Sequence, residues 1–166
     1  IDTPLGPVRV YSVHLSHLCS ATRQPQIARI LDILREAPFE GGAWCGGHPN
    51  PASGWIEEAE PPMPEATILM GDMNFAPGMP EYDQMIGGKA QGYGRLTNRR
   101  GLLDVWVLAG HAENTGSTHP DACCRIDHCF VSNDLADAVS EVWIDDKAKG
   151  SDHWPVWTTF ATDLSE

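Results

Sequence analysis

The segment TILMGDMN, residues 67–74, is the most informative stretch of this sequence. Its first four residues are apolar or β-branched and predict a short buried β-strand. Asp72 and Asn74 follow two residues apart, a spacing that places both side chains on the same side. A carboxylate and a carboxamide together suit a hard divalent cation, or a water molecule that must be held and deprotonated. The alternative is an Asx turn, and this segment alone favours neither interpretation.

Strands and one long helix are predicted on either side of this segment. Residues 7–15 alternate in polarity, which predicts a strand that ends near His14. Residues 22–37 carry apolar side chains at helical spacing, and Pro38 is the predicted end of that helix. Further strands are predicted at 125–132, 139–144 and 154–160, with a helical turn at 80–85 and a segment at 101–108 that fits either class. We therefore expect one α+β domain over residues 1–166, with its strands stacked in layers.

The chain is acidic, with 11 basic and 23 acidic side chains and a net charge of -12. This charge argues against a broad surface that binds nucleic-acid phosphates. An acidic chain can still handle phosphate esters if a divalent metal ion supplies the positive charge. The local basic cluster is formed by Arg95, Arg99 and Arg100, for which a solvated loop surface is favoured over a basic rim around a substrate.

The five cysteines show no spacing typical of a disulfide framework. Cys45 and His48 have the spacing of half a zinc site, but a matching second half is not evident, so idle or buried thiols are expected. Both lie in a segment rich in Gly, Pro and Trp, from about residue 39 to 65, which predicts a long surface loop. No apolar run approaches the length of a membrane span. The compartment is left open by the sequence, with the cytoplasm slightly favoured.

Two segments in the C-terminal part combine acids with a histidine. Asp127 lies in the apolar run RIDHCFVS, where a carboxylate is costly unless it has a partner. The candidate partners are His153 and the neighbouring Arg125. In the segment GSDHWPVW, Asp152 and His153 are adjacent where a strand begins, so both can reach one site only if they lie in the turn. A carboxylate that holds His153 would fix the tautomer of its ring and stabilise the protonated form.

In chain order the motifs read VHL, GDMN, RIDH and SDHWPV. Considered alone, a histidine at the end of a strand, such as His14 in the first motif, is usually a partly exposed residue that makes a hydrogen bond and has no catalytic role. Together, however, the motifs resemble the endonuclease/exonuclease/phosphatase superfamily, which includes DNase-I-like nucleases, abasic-site endonucleases, inositol-polyphosphate phosphatases and sphingomyelinases. The resemblance extends from Val13 to Val156. It implies a four-layer α-β-β-α sandwich, of which this chain is expected to be the C-terminal portion.

The resemblance also implies roles for the matching residues. The implied catalytic residues are His14, Asp72, Asn74, Asp127 and His153. The implied metal ligands are Asp152, Asp72 and Asn74, and the implied cofactor is Mg²⁺ or Mn²⁺. Asp72 would orient or deprotonate the attacking water, and Asn74 would help to hold the phosphate and the metal. His14 and His153 would contact the scissile phosphate, with Asp127 supporting His153.

Two family motifs are not found in this sequence. The family normally begins with a strand that carries an Asn, followed by a Gln-Glu motif whose Glu is a principal Mg²⁺ ligand. Glu57, Glu58 and Glu60 lie in a Pro-rich context that is wrong for that Glu. The chain also does not begin with Met, so we expect a processed product, a fragment or an incomplete chain. A half-domain would be completed by a partner chain, by self-association or by a segment absent from this sequence.

The leading functional hypothesis is metal-dependent hydrolysis of a phosphate ester by activated water. The acidic charge weakly favours a small or single-phosphate substrate over long duplex DNA, and nucleic acid stays among the candidate substrates. The alternative is a catalytically inactive or truncated domain that acts in binding or assembly. A metal-free Asp-His-Ser hydrolase is disfavoured, since the sequence has no Gly-x-Ser-x-Gly motif.

Overall fold

The structure is a computed structural model that describes residues 1–42, 49–50, 52, 63–97 and 101–162. Some residues singled out in the sequence lie outside the described residues, namely Cys45, His48, Glu57, Glu58, Glu60, Arg99 and Arg100. Most of the predicted long loop lies outside them as well.

The described elements follow one another along the chain and include both helices and strands. In order they are β1 (Asp2–Thr3), β2 (Gly6–Pro7), β3 (Arg9–His14), α1 (Ser20–Glu40), β4 (Thr67–Asp72), α2 (Pro80–Ile86), β5 (Lys89–Ala90), β6 (Gly94–Arg95), β7 (Leu102–Asp104), α3 (Val105–Leu108), β8 (Asp127–Ser132), a 3₁₀ helix (Asn133–Ala138), β9 (Val139–Ile144) and β10 (Val156–Phe160). The predicted α+β class is confirmed.

A four-stranded sheet with the order β3-β4-β8-β7 forms the centre of the fold. Strand β4, the predicted buried strand, pairs in parallel with β3 and antiparallel with β8. The parallel pair is possible because the connection between β3 and β4 is long and contains α1. Strands β9 and β10 form a separate antiparallel hairpin. The sheet therefore brings the ends of β3 and β4 and the start of β8 to one edge.

The two faces of the sheet support two apolar cores. Alternating residues of a strand point to opposite faces, and in β4 Leu69 belongs to one core and Ile68 to the other. The first core lies between the sheet and helices α1 and α2, where Ile27 and Tyr82 are fully buried. The second lies between the sheet and the β9–β10 hairpin, which contributes Val142. Helices, sheet and hairpin thus form the predicted layers.

Helix α1 differs from the prediction at its C-terminal end, because Pro38 lies inside the helix and does not end it. A proline removes the N–H that would bond to the carbonyl four residues earlier, which here is that of Leu34. The guanidinium of Arg9 donates to this carbonyl over 3.1 Å and replaces the missing bond. The helix ends instead at Gly41, which has a positive φ of 79° and donates its N–H to Ala37.

The other predicted elements agree with the structure, apart from small shifts at their ends. The segment 101–108, which fitted either a helix or a strand, contains both, since β7 leads directly into α3. Asp104 ends β7 and accepts the backbone N–H of Trp106, so its side chain caps the short helix. The short hairpins β1–β2 and β5–β6 and the 3₁₀ helix were not predicted.

Candidate active site

Three polar residues form a row across three neighbouring strands. Strand register places His14 beside Asp72 and Asp72 beside Asp127. Nε2 of His14 lies 3.4 Å from Oδ2 of Asp72, and the His14 side chain is 72% exposed while that of Asp72 is 17% exposed. The apolar runs of β3 and β4 are thus followed, at one edge of the sheet, by a histidine and a carboxylate in contact.

The turn after β4 orients Asp72 and Asn74. The backbone N–H of Asn74 donates to Oδ1 of Asp72 over 2.9 Å, which is the Asx turn considered from the sequence. The side-chain amide of Asn74 donates to the carbonyl of Leu15 over 3.0 Å, and Asn74 has a positive φ of 53°. The Asx turn therefore does not exclude a site. It holds Oδ1 of Asp72 while leaving Oδ2 beside His14, and it leaves Oδ1 of Asn74 as an acceptor.

His153 and Asp127 are hydrogen-bonded, as expected if Asp127 has a histidine partner. Nδ1 of His153 lies 2.8 Å from Oδ2 of Asp127, and because a carboxylate only accepts, Nδ1 is the donor. This bond raises the pKa of His153, against the opposing effect of burial, and the negative charges of Asp127, Asp72 and Asp152 raise it further. The bond also leaves Nε2 of His153 as the ring atom available to a ligand.

Arg125 is not the partner of Asp127, so that alternative is wrong. Its guanidinium is buried and donates to Oδ2 of Asp104 over 2.8 Å. Asp127 is the first residue of β8 and is only partly buried, with 20% of its side chain exposed. Its carboxylate is thus accessible from the site.

The side chains at this edge form two candidate groups that share His153. One contains Asp72, Asp127 and His153, and the other contains His119, Asp152 and His153. Within each group, one ligand atom per residue lies within 4.8 Å of the others. Asp152, which is exposed, lies with the second group, whereas Asp72 lies with the first. His119 was not singled out from the sequence, because it lies in an irregular segment with no motif around it.

The central and C-terminal parts of the sequence match a known protein family. The model of the Endonuclease/Exonuclease/phosphatase family matches residues 54–153, which is more than half of the 166-residue chain. The chain belongs to this family. The match contains the motifs GDMN and RIDH and the first three residues of SDHWPV, and so includes Asp72, Asp127 and His153. It confirms the resemblance seen in the sequence.

Solved structures show the same relationship at the level of the fold. A family protein from Bacteroides thetaiotaomicron matches with a TM-score of 0.51 and 19% identity, over 94% of this chain and 51% of that chain. A mannosyl-6-phosphatase from Bacteroides thetaiotaomicron matches with a TM-score of 0.51 and 19% identity, over 91% and 51% of the two chains. A humanized D. rerio TDP2 matches with a TM-score of 0.54 and 22% identity, over 92% and 54%.

These matches show that this chain has the fold of the family. The chain spans about half the length of these solved structures, and its layers correspond to part of a DNase-I-like fold. Comparison with curated proteins finds no match. None of the helices in the described part of the chain has the length and apolar character needed to cross a bilayer.

The part of the basic cluster that the structure describes does not form a basic rim. Arg95 donates to Oε2 of Glu113 and to Oδ1 of Asp83, and its side chain is 13% exposed. Lys89 also pairs with Glu113, over 2.6 Å. Two carboxylates thus offset the charge of Arg95, which therefore offers little attraction to a polyanion.

Proposed function

We propose that this chain carries the phosphate-handling centre of a metal-dependent phosphoesterase, which hydrolyses a phosphate ester with an activated water. The observation that carries the proposal is the His153–Asp127 hydrogen bond next to Asp72, all three at one edge of the sheet. The names of nucleases and phosphatases in the family support this kind of chemistry.

His153 and His14 would bind the phosphoryl oxygens. Asp127 holds the ring of His153 and favours its protonated form, so Nε2–H can donate to an oxygen that gains negative charge as water attacks. His14 lies on the other side of Asp72 and is largely exposed, so its ring can turn toward the same phosphate. The two histidines thus flank the carboxylate that would act on the water.

Asp72 would orient the attacking water and accept its proton. Its Oδ1 is held by the backbone N–H of Asn74, so the orientation of the carboxylate is set before substrate binds. Its Oδ2 lies 3.4 Å from Nε2 of His14 and would contact the water once the exposed His14 ring turns toward the phosphate. Proton transfer to a positioned carboxylate of this kind contributes about 10²–10⁴-fold in rate.

The oxygen donors at the site fit Mg²⁺ or Mn²⁺. These hard cations prefer carboxylate and carbonyl oxygens, which Asp72 and the Oδ1 of Asn74 can provide. Asp152 offers a further, exposed carboxylate, which lies in the group with His119 and His153 and not in the group of Asp72. We propose these three residues as the ligands that would hold the ion. When bound, it would offset the negative charge that develops on the phosphoryl group.

A small or single-phosphate ester is favoured over long duplex DNA as the substrate. The net charge of -12 repels a polyanion, and the charge of Arg95 is offset by Asp83 and Glu113. A small phosphate ester needs only the local donors at the sheet edge. Nucleic acid stays the second candidate substrate.

Calorimetric titration with Mg²⁺ tests the metal site without requiring turnover. We expect saturable binding to the chain, weakened by about tenfold or more in Asp72→Asn, because one charged ligand is lost. Asp137→Asn is the matched control, since Asp137 is exposed in the 3₁₀ helix that follows the opposite end of β8 from Asp127 and belongs to neither candidate group. Equal affinity in both variants, or no saturable binding to the unaltered chain, would favour the inactive-domain alternative.

A further inference from the structure

The segment before β8 brings another histidine to the proposed site. One ring nitrogen of His119, one of His153 and a carboxylate oxygen of Asp152 all lie within 4.8 Å of one another. The rings of His119 and His153 meet edge to face, with centroids 5.0 Å apart and planes at 76°. His119 is only partly buried, so its ring is open to a ligand.

The hydroxyl and the carbonyl of Thr118 fix the position of His119 relative to both Asp127 and His153. The buried hydroxyl of Thr118 accepts the backbone N–H of Ile126 over 3.0 Å and that of Asp127 over 3.1 Å. The carbonyl of Thr118 accepts the N–H of Trp154, the residue after His153, over 2.8 Å. His119 is thus tied through its neighbour to both partners of the His153–Asp127 pair.

The hydrogen bonding of the His119 ring indicates a donor and not a metal ligand. Nδ1 accepts the backbone N–H of Asp121 over 3.1 Å, so the lone pair of Nδ1 is already used. In the neutral ring the proton then lies on Nε2, which becomes a hydrogen-bond donor. A ring nitrogen that binds a metal needs a free lone pair. The geometry of the turn therefore leaves Nε2–H to contact an anion.

We propose that His119 is a further substrate-contacting residue, which donates Nε2–H to a phosphoryl oxygen beside the donor from His153. This inference rests on the proposed function of the same site. The two rings are in contact and come from two separate segments of the chain, the loop before β8 and the turn before β10. Each would supply one N–H donor to the phosphate. A carboxylate oxygen of Asp152 lies within 4.8 Å of a ring nitrogen of each histidine, so the contact is proposed for the metal-loaded chain, in which the ion would offset this negative charge.

A pair of substitutions separates this contact from a purely structural role. In His119→Gln the amide nitrogen lies near the position of Nε2 and can donate to phosphate, but the acceptor for Asp121 is lost. In His119→Asn the amide oxygen can replace Nδ1 as that acceptor, but nothing reaches the position of Nε2. We expect the affinity of the Mg²⁺-loaded chain for inorganic phosphate, measured by calorimetry, to fall about tenfold in His119→Asn and little in His119→Gln.

The opposite ranking, or equal affinities, would overturn the proposal and leave His119 as a turn residue. A second readout is the ring nitrogen resonance of His119 in NMR spectra, which we expect to move on addition of phosphate. A shift of Nε2 on addition of Zn²⁺ and none with phosphate would show a metal ligand instead and would also overturn the proposal.

His153→Ala distinguishes failure of this inference from failure of the proposed function. If His153→Ala weakens phosphate binding and both His119 variants bind normally, only the role of His119 is wrong. If the unaltered chain binds no phosphate, either alone or with Mg²⁺, both the role of His119 and the proposed function are contradicted.

Discussion

Asp127 determines how readily the His153 ring keeps its proton. The hydrogen bond from Nδ1 to Asp127 is the main cause of the raised pKa of His153. A raised pKa means that the folded chain favours the protonated ring more than the unfolded chain does. The resulting stability is fully present below the unfolded pKa of about 6.5 and is lost as pH rises through the raised value.

We therefore expect Asp127→Asn to lower the pKa of His153, as followed by NMR titration of its ring protons. The same change should reduce phosphoester hydrolysis by about a hundredfold or more, because the amide neither stabilises the protonated ring nor fixes its tautomer. Asp152→Asn is the matched control for the pKa alone, since the charge of Asp152 comes last among the effects that raise the pKa of His153. It is not a control for hydrolysis, because Asp152 is one of the proposed metal ligands. If both variants shift this pKa equally, the hydrogen bond is not its main cause.

The contact between β3 and β4 requires a glycine one residue before Asp72. Gly71 has a φ of +137°, and a Cβ at this position would lie 1.9 Å from the carbonyl oxygen of Val13. Only a residue without a side chain allows the strands to approach this closely. The approach matters because the register of the two strands brings His14 to Asp72.

Gly71→Ala is expected to lower the free energy of unfolding by about 3 kcal/mol or more, since it adds both backbone strain and a clash with the neighbouring strand. Gly78→Ala is the matched control, because Gly78 also has a positive φ, +88°, but its Cβ would meet nothing within 4 Å. This control adds backbone strain without a clash, so its free energy of unfolding should fall by only about 1–2 kcal/mol. The free energies of unfolding of both variants are measured by urea denaturation. Equal decreases would show that the close approach of the two strands does not require a glycine at residue 71.

The strands and helices that carry the site were largely predictable because their apolar residues follow the periods of regular structure. Strand β3 ends at His14 as predicted. Strand β4 continues two residues past the predicted apolar run to Asp72, and β8 begins at Asp127, two residues after its predicted start. The end of α1 was not predictable from local sequence, since Arg9 replaces the hydrogen bond that Pro38 removes. That contact joins residues 25 positions apart, which no local pattern encodes.

A buried polar network connects the elements of the whole molecule beneath the site. Asp104 at the end of β7 accepts from Arg125 over 2.8 Å and from the hydroxyl of Tyr82 in α2 over 2.7 Å. Arg125 also contacts Nδ1 of His128, whose Nε2 donates to the carbonyl of Phe75 just after Asn74. Complete burial lowers the pKa of His128 to about 4, so the ring is neutral.

Asp104→Ala should destabilise the chain by about 3–5 kcal/mol, because it leaves the Arg125 guanidinium buried without its carboxylate. Asp32→Ala removes an exposed ion pair with Arg35 and should cost at most about 0.5 kcal/mol. Thermal unfolding compares the two. A loss for Asp104→Ala no larger than that for Asp32→Ala would mean that the network does not hold the elements together.

The site itself was only partly predictable, for reasons that concern the whole fold. Asp72, Asp127 and His153 were indicated by motifs, but their common location depends on the pairing of β4 with β8 and on the turn before β10. His119 had no motif, and its position follows from the hydrogen bonds of Thr118, which link segments far apart in sequence. The positive charge of Arg95 could be seen in the sequence, but its ion pairs with Asp83 and Glu113 could not.

Hydrolysis of bis-p-nitrophenyl phosphate is the most direct test of the central claim, which is that this sheet edge is a metal-dependent phosphoesterase centre. The rate is measured with Mg²⁺ or Mn²⁺ and with EDTA, for the unaltered chain and for His153→Ala, with circular dichroism to show that both fold. We predict turnover that requires the metal and falls by about a hundredfold or more in His153→Ala. Turnover that persists in EDTA or in His153→Ala, or no turnover with either metal, would contradict the claim.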